Sequence, residues 1–274
     1  MQPLEFIKHT PRTNCGECGY AACLAFSAAV TKGGENPEKC PYVDLSQLGG
    51  EFSTQGRGEG GLEGVAKLLD EKDLALVAYL KKKTSGIDFC EAAEAIGCEW
   101  SGAEKDSLLF QFLGRDVELS HDTVLINGAE VDDPRDQILL YNYVHFGGGQ
   151  EPVQEWIGME SLPNSISKVR TLRVYCEERI AAHFTGAPDL LIAAASRIGA
   201  LRQENPEQSC TAAFFVPALP RLPLYVLFWD EEQEDGFPAK VKVLFDQKVN
   251  DFLDIESLVF VCERMAEHWV EERV

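Results

Sequence analysis

Residues 108–128 read LLFQFLGRDVELSHDTVLING. Three short apolar runs stand out, Leu108–Leu113, Val117–Leu119 and Thr123–Ile126, with polar and glycine residues between them. Such runs, bounded by turn formers, predict strands. The closing Asn127-Gly128 predicts a hairpin turn, because these two residues tolerate the positive φ angles that tight hairpins require. Outward from this stretch the periodicity changes. Leu62–Lys83 repeats apolar residues near every 3.6 positions and predicts a helix in two pieces, split near Asp70–Asp73. Phe89–Ile96 predicts a short helix stopped at Gly97, and Pro134–Phe146 a helix with a capped start after Asp132–Asp133. Further helices are expected at Ile166–Phe184, Asp189–Leu201 and Ile255–Trp269. Ala212–Val216, Leu224–Trp229 and Val241–Phe245 predict late strands, the first two joined through Pro217, Pro220 and Pro223. Strands and helices in separate runs give an α+β fold.

The 274 residues suffice for one small module and one ordinary domain. With 45% hydrophobic and 26% charged residues the composition is that of a folded, water-soluble protein. No run of 18 apolar residues predicts a membrane span, and the N-terminus carries no signal-peptide pattern, so a cytoplasmic location is expected. The net charge of −20 argues against a nucleic-acid partner, which requires clustered Lys and Arg. The one basic run, Lys81–Lys83, reads as the cationic end of a helix. Residues 45–61 are rich in Gly, Ser and Gln and read as a linker or exposed loop.

Four of the nine cysteines fall in the first 40 residues, as Cys15, Cys18, Cys23 and Cys40, with the spacing C-x2-C-x4-C-x16-C. Three thiolates within nine residues can wrap one face of an iron–sulfur cubane, and small neighbours let the backbone approach the sulfides. Gly16 and Gly19 fill that role, at positions where a Cβ would obstruct the approach. Leu24–Val30 then reads as a short helix ended at Gly33-Gly34, after which Asn36-Pro37 returns the chain to deliver Cys40. A zinc site and free or disulfide-bonded thiols are the alternatives. Zinc modules usually pair their cysteines as two C-x2-C knuckles, whereas only one close pair exists here. A thioredoxin-type pair should follow a strand, and no apolar strand precedes Cys15. The remaining cysteines, Cys90, Cys98, Cys176, Cys210 and Cys262, offer no close pair for a second cluster, and Cys90 and Cys98 read as buried thiols.

The segment NCGECGYAACLAFSAAVTKGGENPEKCPY, residues 14–42, resembles the four-cysteine iron–sulfur domain of the corrinoid iron–sulfur protein of acetyl-CoA decarbonylase/synthase. It is also similar to the N-terminal module of the B subunit of Rnf electron-transport complexes. This resemblance implies a single low-potential [4Fe–4S] cluster with Cys15, Cys18, Cys23 and Cys40 as its ligands. The stretch from about Ile138 onward, including ILLYNYVHFGGG and PALPRLPLYVLFWDEEQEDGFPAKVKVLFD, resembles the domain of unknown function 3786, which is typical of anaerobes. The expected organisation is a [4Fe–4S] module at 1–45, a linker at 46–61 and a mixed α/β domain at 62–274.

Phosphate-loop, dinucleotide and nucleophile-elbow motifs are absent from the sequence. Gly147-Gly148-Gly149 follows a helix and reads as its stop or a hinge. The five histidines are scattered, without metal-helix spacing, and Asp230–Asp235 reads as a solvated loop. Electron transfer to a redox partner protein or a corrinoid protein is the leading expectation; a sensor or assembly factor is another reading. For a third, a reductive enzyme, the candidate pocket residues are Tyr141, Tyr143, His145, Arg221 and Trp229, with the glycines after the helix.

Overall fold

The computed structural model describes residues 2–33, 35–43, 60–204, 206, 209–232, 234 and 236–271. The chain divides into two compact units, Met1–Ala75 and Leu76–Val274. The first begins with α1 (Pro3–Phe6), followed by a 3-10 turn at Ile7–His9, helix α2 (Cys23–Gly33) and a second 3-10 turn at Pro37–Lys39. Its buried side chains are few: Phe6 and Phe26 meet edge to face at 6.1 Å, with Val30 and Cys40 beside them. Helix α3 (Gly60–Thr84) runs unbroken across Asp70–Asp73, where two pieces were expected, and takes in Gly60 and Gly61. The acidic run lacks a proline or a paired glycine, so nothing in it breaks the backbone hydrogen bonds. Residues 46–59 of the expected linker lie outside the described residues. Lys81–Lys83 form the last turn of α3, as the charge pattern implied.

The second unit contains two five-stranded antiparallel sheets. Helix α4 (Phe89–Ile96) is capped by Asp88, whose carboxylate accepts from the Cys90 and Glu91 N–H groups, and it ends on Gly97 at φ 72°. The first sheet is a meander of β1 (Glu99–Trp100), β2 (Leu108–Phe112), β3 (Arg115–Leu119), β4 (Val124–Ile126) and β5 (Ala129–Glu130). Asn127 and Gly128 both take positive φ in the β4–β5 turn. Helix α5 (Pro134–Phe146) starts at the Asp133 cap, with Pro134 at its first position, and stops at Gly147. Gly148 is irreplaceable for a steric reason: an added Cβ would lie 2.6 Å from the Ala95 carbonyl oxygen.

β6 (Trp156–Gly158) precedes α6 (Ile166–Leu172), a π-helical turn at Arg173–Glu177 and α7 (Glu178–Phe184). The single helix expected over 166–184 therefore carries one wide turn. Helix α8 (Pro188–Arg197) ends four residues before the expected Leu201, which belongs instead to β7 (Leu201–Arg202). β8 (Ala212–Leu219), β9 (Leu222–Trp229) and β10 (Lys240–Asp246) complete the second sheet in the order β6-β10-β9-β8-β7. β8 and β9 bury residues on both faces, which is why their sequences read as unbroken apolar runs. Helix α9 (Ile255–Glu271) closes the unit. Arg264 on α9 ion-pairs with Asp133 and with Asp136 (2.7 Å), tying α9 to the start of α5. Cys176 and Cys262 are buried in the core, but Cys90 is exposed and Cys98 only half-buried, against the expectation of two buried thiols. Cys90 sits one residue into α4, on its solvent side.

Candidate metal centre

The loop from α1 to α2 carries two of the four predicted ligands, Cys15 and Cys18, and Cys23 opens α2. The loop's backbone turns sharply: Arg12, Asn14, Gly16 and Gly19 all have positive φ, and the Gly19 N–H donates to the Gly16 carbonyl at 2.8 Å. At Gly19 the positive φ of 84° is itself a reason for glycine, and an added Cβ would meet no protein atom within 4 Å. Asn14 accepts from the Cys23 N–H through Oδ1 at 2.8 Å, so the residue before the first ligand caps the helix that begins with the third.

Cys40 arrives from the other side. Asn36 caps the 3-10 turn by accepting from the Glu38 N–H at 3.0 Å, and the Cys40 N–H donates to the Pro37 carbonyl at 3.3 Å. Two side-chain ties join the arms. Tyr20 and Lys39 both donate to Glu35 Oε2 at 2.8 Å, and Tyr42 donates to Glu17 Oε1 at 2.7 Å. Tyr20, Tyr42, Glu17, Glu35 and Asn14 were not singled out from sequence; only the proximity of two tyrosines and two glutamates to the cysteines hinted at them.

All four cysteines are free thiols, Cys23 and Cys40 each 6% exposed, Cys15 and Cys18 half-buried. They are close enough to sense one another. Burial raises the Cys18 thiol above its ordinary pKa, and the charges of Cys40 and Cys23 add to the effect. Cys40 is raised in the same way by burial and then by Cys15 and Cys23. Against this trend, the backbone N–H of Tyr20 near Cys18, and those of Tyr42 and Val43 near Cys40, act to lower the two thiols; the Val43 N–H donates to the Cys40 carbonyl at 3.3 Å. Sulfur atoms that are buried and mutually repelling gain most from a multivalent cation shared among them. Among the described residues, no three His, Cys, Asp or Glu side chains are arranged around a point as one metal ion requires. Four cysteine thiols sharing one neighbourhood, with no His, Asp or Glu among them, are the donor set a four-iron cubane takes.

Of the five residues expected to line a catalytic pocket, Tyr143 and Arg221 meet, but as an internal brace. Tyr143 is fully buried; its hydroxyl donates to the Ile96 carbonyl at 2.6 Å and accepts from the Arg221 N–H at 3.0 Å. Tyr141 donates to the Ser120 carbonyl at 3.1 Å, and burial pushes both phenols well above their ordinary range. His145 is exposed. Arg221 precedes β9 and Trp229 ends it, so about 25 Å of strand separates them. The aromatic density that suggested a pocket is core packing and interhelical bonding.

The fold and the cysteine module define an α+β iron–sulfur protein. The chain belongs to the family described as domain of unknown function 3786, whose model matches residues 88–268, about fifty residues earlier than the sequence resemblance placed its start. A second model, described as "Putative Fe-S cluster", matches residues 11–42 and encloses all four cysteines. Acetyl-CoA decarbonylase/synthase complex subunit gamma 2 of Methanosarcina thermophila is 49% identical over 39 residues, 14% of this chain and 8% of that protein. The corrinoid/iron-sulfur protein large subunit of Moorella thermoacetica is 48% identical over 40 residues, 15% of this chain and 9% of its own. The B subunit of the ion-translocating oxidoreductase complex of Ectopseudomonas mendocina is 33% identical over 88 residues, 32% of this chain and 38% of the relative. The chain thus spans under two-fifths of the length of each of these relatives. No solved structure gives a significant match. No helix among the described residues is long and apolar enough to cross a membrane.

Proposed function

We propose that Cys15, Cys18, Cys23 and Cys40 hold one low-potential [4Fe–4S] cluster and that the chain is an electron carrier, delivering electrons to a protein partner or to a corrinoid held by one. The observation that carries this reading is the donor set: four thiols of one small unit, Cys23 and Cys40 buried and Cys15 and Cys18 half-buried, close enough to sense one another's charge. Its relatives named as corrinoid/iron-sulfur and ion-translocating oxidoreductase subunits support the partner class. When bound, such a cluster supplies one-electron exchange and, with every iron held by a thiolate, leaves no open site for substrate.

The chain's own residues do the rest. Buried Cys23 and Cys40 anchor the site in the module's core, while half-exposed Cys15 and Cys18 mark the side a partner can approach. The backbone N–H groups of Tyr20, Tyr42 and Val43, near Cys18 and Cys40, stabilise negative charge on sulfur and so favour the reduced state. We assign the cluster to residues 1–45, treat 46–61 as the joining segment, and give 62–274 the role of docking or cofactor-holding surface. The free thiols and the relatives suit the reducing cytoplasm of an anaerobe. Of the residues that motivated the enzyme alternative, Tyr143 and Arg221 form an internal brace.

Anaerobically purified protein tests both halves. Iron and acid-labile sulfide are each expected at about four per chain. Reduced protein is expected to reoxidise slowly alone and quickly with a corrinoid protein or another electron acceptor in stopped flow. One zinc per chain without iron would overturn the cofactor; turnover of a small molecule by cluster-free protein would overturn the carrier role.

A further inference from the structure

A cleft of about 600 Å³ opens between the π turn with α7 and the connection from β9 to β10. This is the volume of a small-molecule site. Three features distinguish it from a packing gap. The first is the π turn itself, Arg173–Glu177, since single wide turns inside helices recur at functional sites. Within it Cys176 is fully buried beside Cys262 of α9, while Glu177 reaches β10.

The second is Glu177, only 7% exposed yet part of the cleft wall. Its Oε1 accepts from the Val243 N–H at 3.0 Å, and its nearest cation, Lys242, stands 4.0 Å away, held more tightly by Glu160 at 3.0 Å. The carboxyl is raised above its ordinary range, first by burial, so its charge is under-compensated and an added cation would gain there. The third is an aromatic wall. Trp229 lines the cleft with Lys240 Nζ 5.5 Å from its ring centroid, so the ring already receives a cation, and Phe237 at the mouth is 64% exposed.

The charges in the lining lean one way. Glu177, Glu178, Asp230 and Glu232 face Arg173 and Lys240, and Arg173 is engaged by Glu178 at 3.2 Å. An anion would meet that excess of carboxylates, and a neutral molecule would leave Glu177 as it is. We propose that this cleft binds a small organic cation, an amine on an apolar stem, with its ammonium against Glu177 and its stem on Trp229 and Phe237. A free amine and the lysine side chain of a peptide share this chemistry. Every lining residue named belongs to Leu76–Val274.

Calorimetric titration of the full chain with phenethylamine tests it, beside the neutral 2-phenylethanol, the anionic 3-phenylpropionate and N-acetyl-lysine methylamide. Saturable binding of phenethylamine is expected, at least tenfold tighter than either the alcohol or the carboxylate. Tighter binding of the lysine derivative than of phenethylamine would assign the cleft to a peptide lysine; the reverse would assign it to a free amine. Glu177→Gln, which still accepts from Val243, is expected to lose tenfold or more. Phe237→Ser, at the exposed mouth where the core is untouched, is expected to lose several-fold even if Glu177→Gln folds poorly. No saturable binding by either amine, equal affinity in both variants, or preference for the carboxylate would overturn the proposal.

Discussion

The two units are held together by different means. In Met1–Ala75 one packed cluster among the described residues joins Phe6, Phe26, Val30 and Cys40, with Cys18, Tyr20 and Val43 against it, and Cys23, Ala28 and Ala29 are buried besides. Of these side chains, Cys18, Cys23 and Cys40 are also proposed ligands. In Leu76–Val274 the core runs through both sheets and from α4 to α9, and its polar tie, Arg264 to Asp133 and Asp136, lies far along the chain from any ligand. The lesson is that in the small unit packing and metal binding use the same atoms, whereas in the large one they do not. So few buried apolar side chains cannot offset the chain entropy of ordering the loop. Metal loading and folding should therefore be one event in the module and unrelated in the larger unit.

The largest expected effect separates the units outright. Cys40→Ser should reduce iron from about four to below one per chain and remove hydrogen-exchange protection from 23–40, while Leu76–Val274 keeps its own. Replacing Cys176 and Cys262 together with Ala should leave the iron unchanged. Equal iron in Cys40→Ser and wild type would break the comparison. Next in size, Arg264→Met leaves the partly buried Asp136 without its cation and Asp133 with Arg135 alone, and should cost the larger unit about 3 kcal/mol in urea unfolding. Iron content should not move.

A smaller effect depends on pH. Hydrogen bonds from Lys39, Tyr20 and the Asn36 N–H hold the Glu35 carboxyl down at about 2, against 4.5 ordinarily. A depressed folded-state pKa means stability that is present above 4.5 and lost as pH falls toward 2. The stability difference between wild type and Glu35→Gln should accordingly be constant from pH 7 to about 5 and shrink below that, in module unfolding followed by exchange. A difference that grows on acidification would contradict the tie. The smallest change is Tyr42→Phe, which removes one exposed hydrogen bond to Glu17 and should cost about 0.5–1.5 kcal/mol, seen as slightly faster release of iron to a chelator.

Much of the fold was legible where local rules are strong. Helices α4 and α5 lie where Asp88 with Gly97, and Asp133 with Gly147, mark their ends. Strands β2 to β4 follow the apolar runs within a residue or two. The misses are elements that local signals do not specify. β1, β6 and β7 are two or three residues long and exist because a neighbouring strand offers its edge. The π turn leaves the helical period of 166–184 nearly intact, so periodicity reads through it. Tyr141 and Tyr143 looked like site residues because aromatic and polar character signals both function and core.

The sequence by itself determined the cofactor class, because four cysteines at C-x2-C-x4-C-x16-C state their chemistry through spacing over a short loop, where the chain has few ways to arrange them. It determined the α+β class through its two periods and its capping residues. Tertiary structure alone decided which groups support the cysteines: Tyr20 reaches Glu35, and Tyr42 reaches Glu17, 25 residues away in sequence. It alone decided that Glu177, Trp229 and Phe237 share one cleft while Tyr143 and Arg221 form an internal brace. The physical reason is one of range. Capping, turn chemistry and ligand spacing act over a few residues, whereas burial and charge depend on every element that packs around a group.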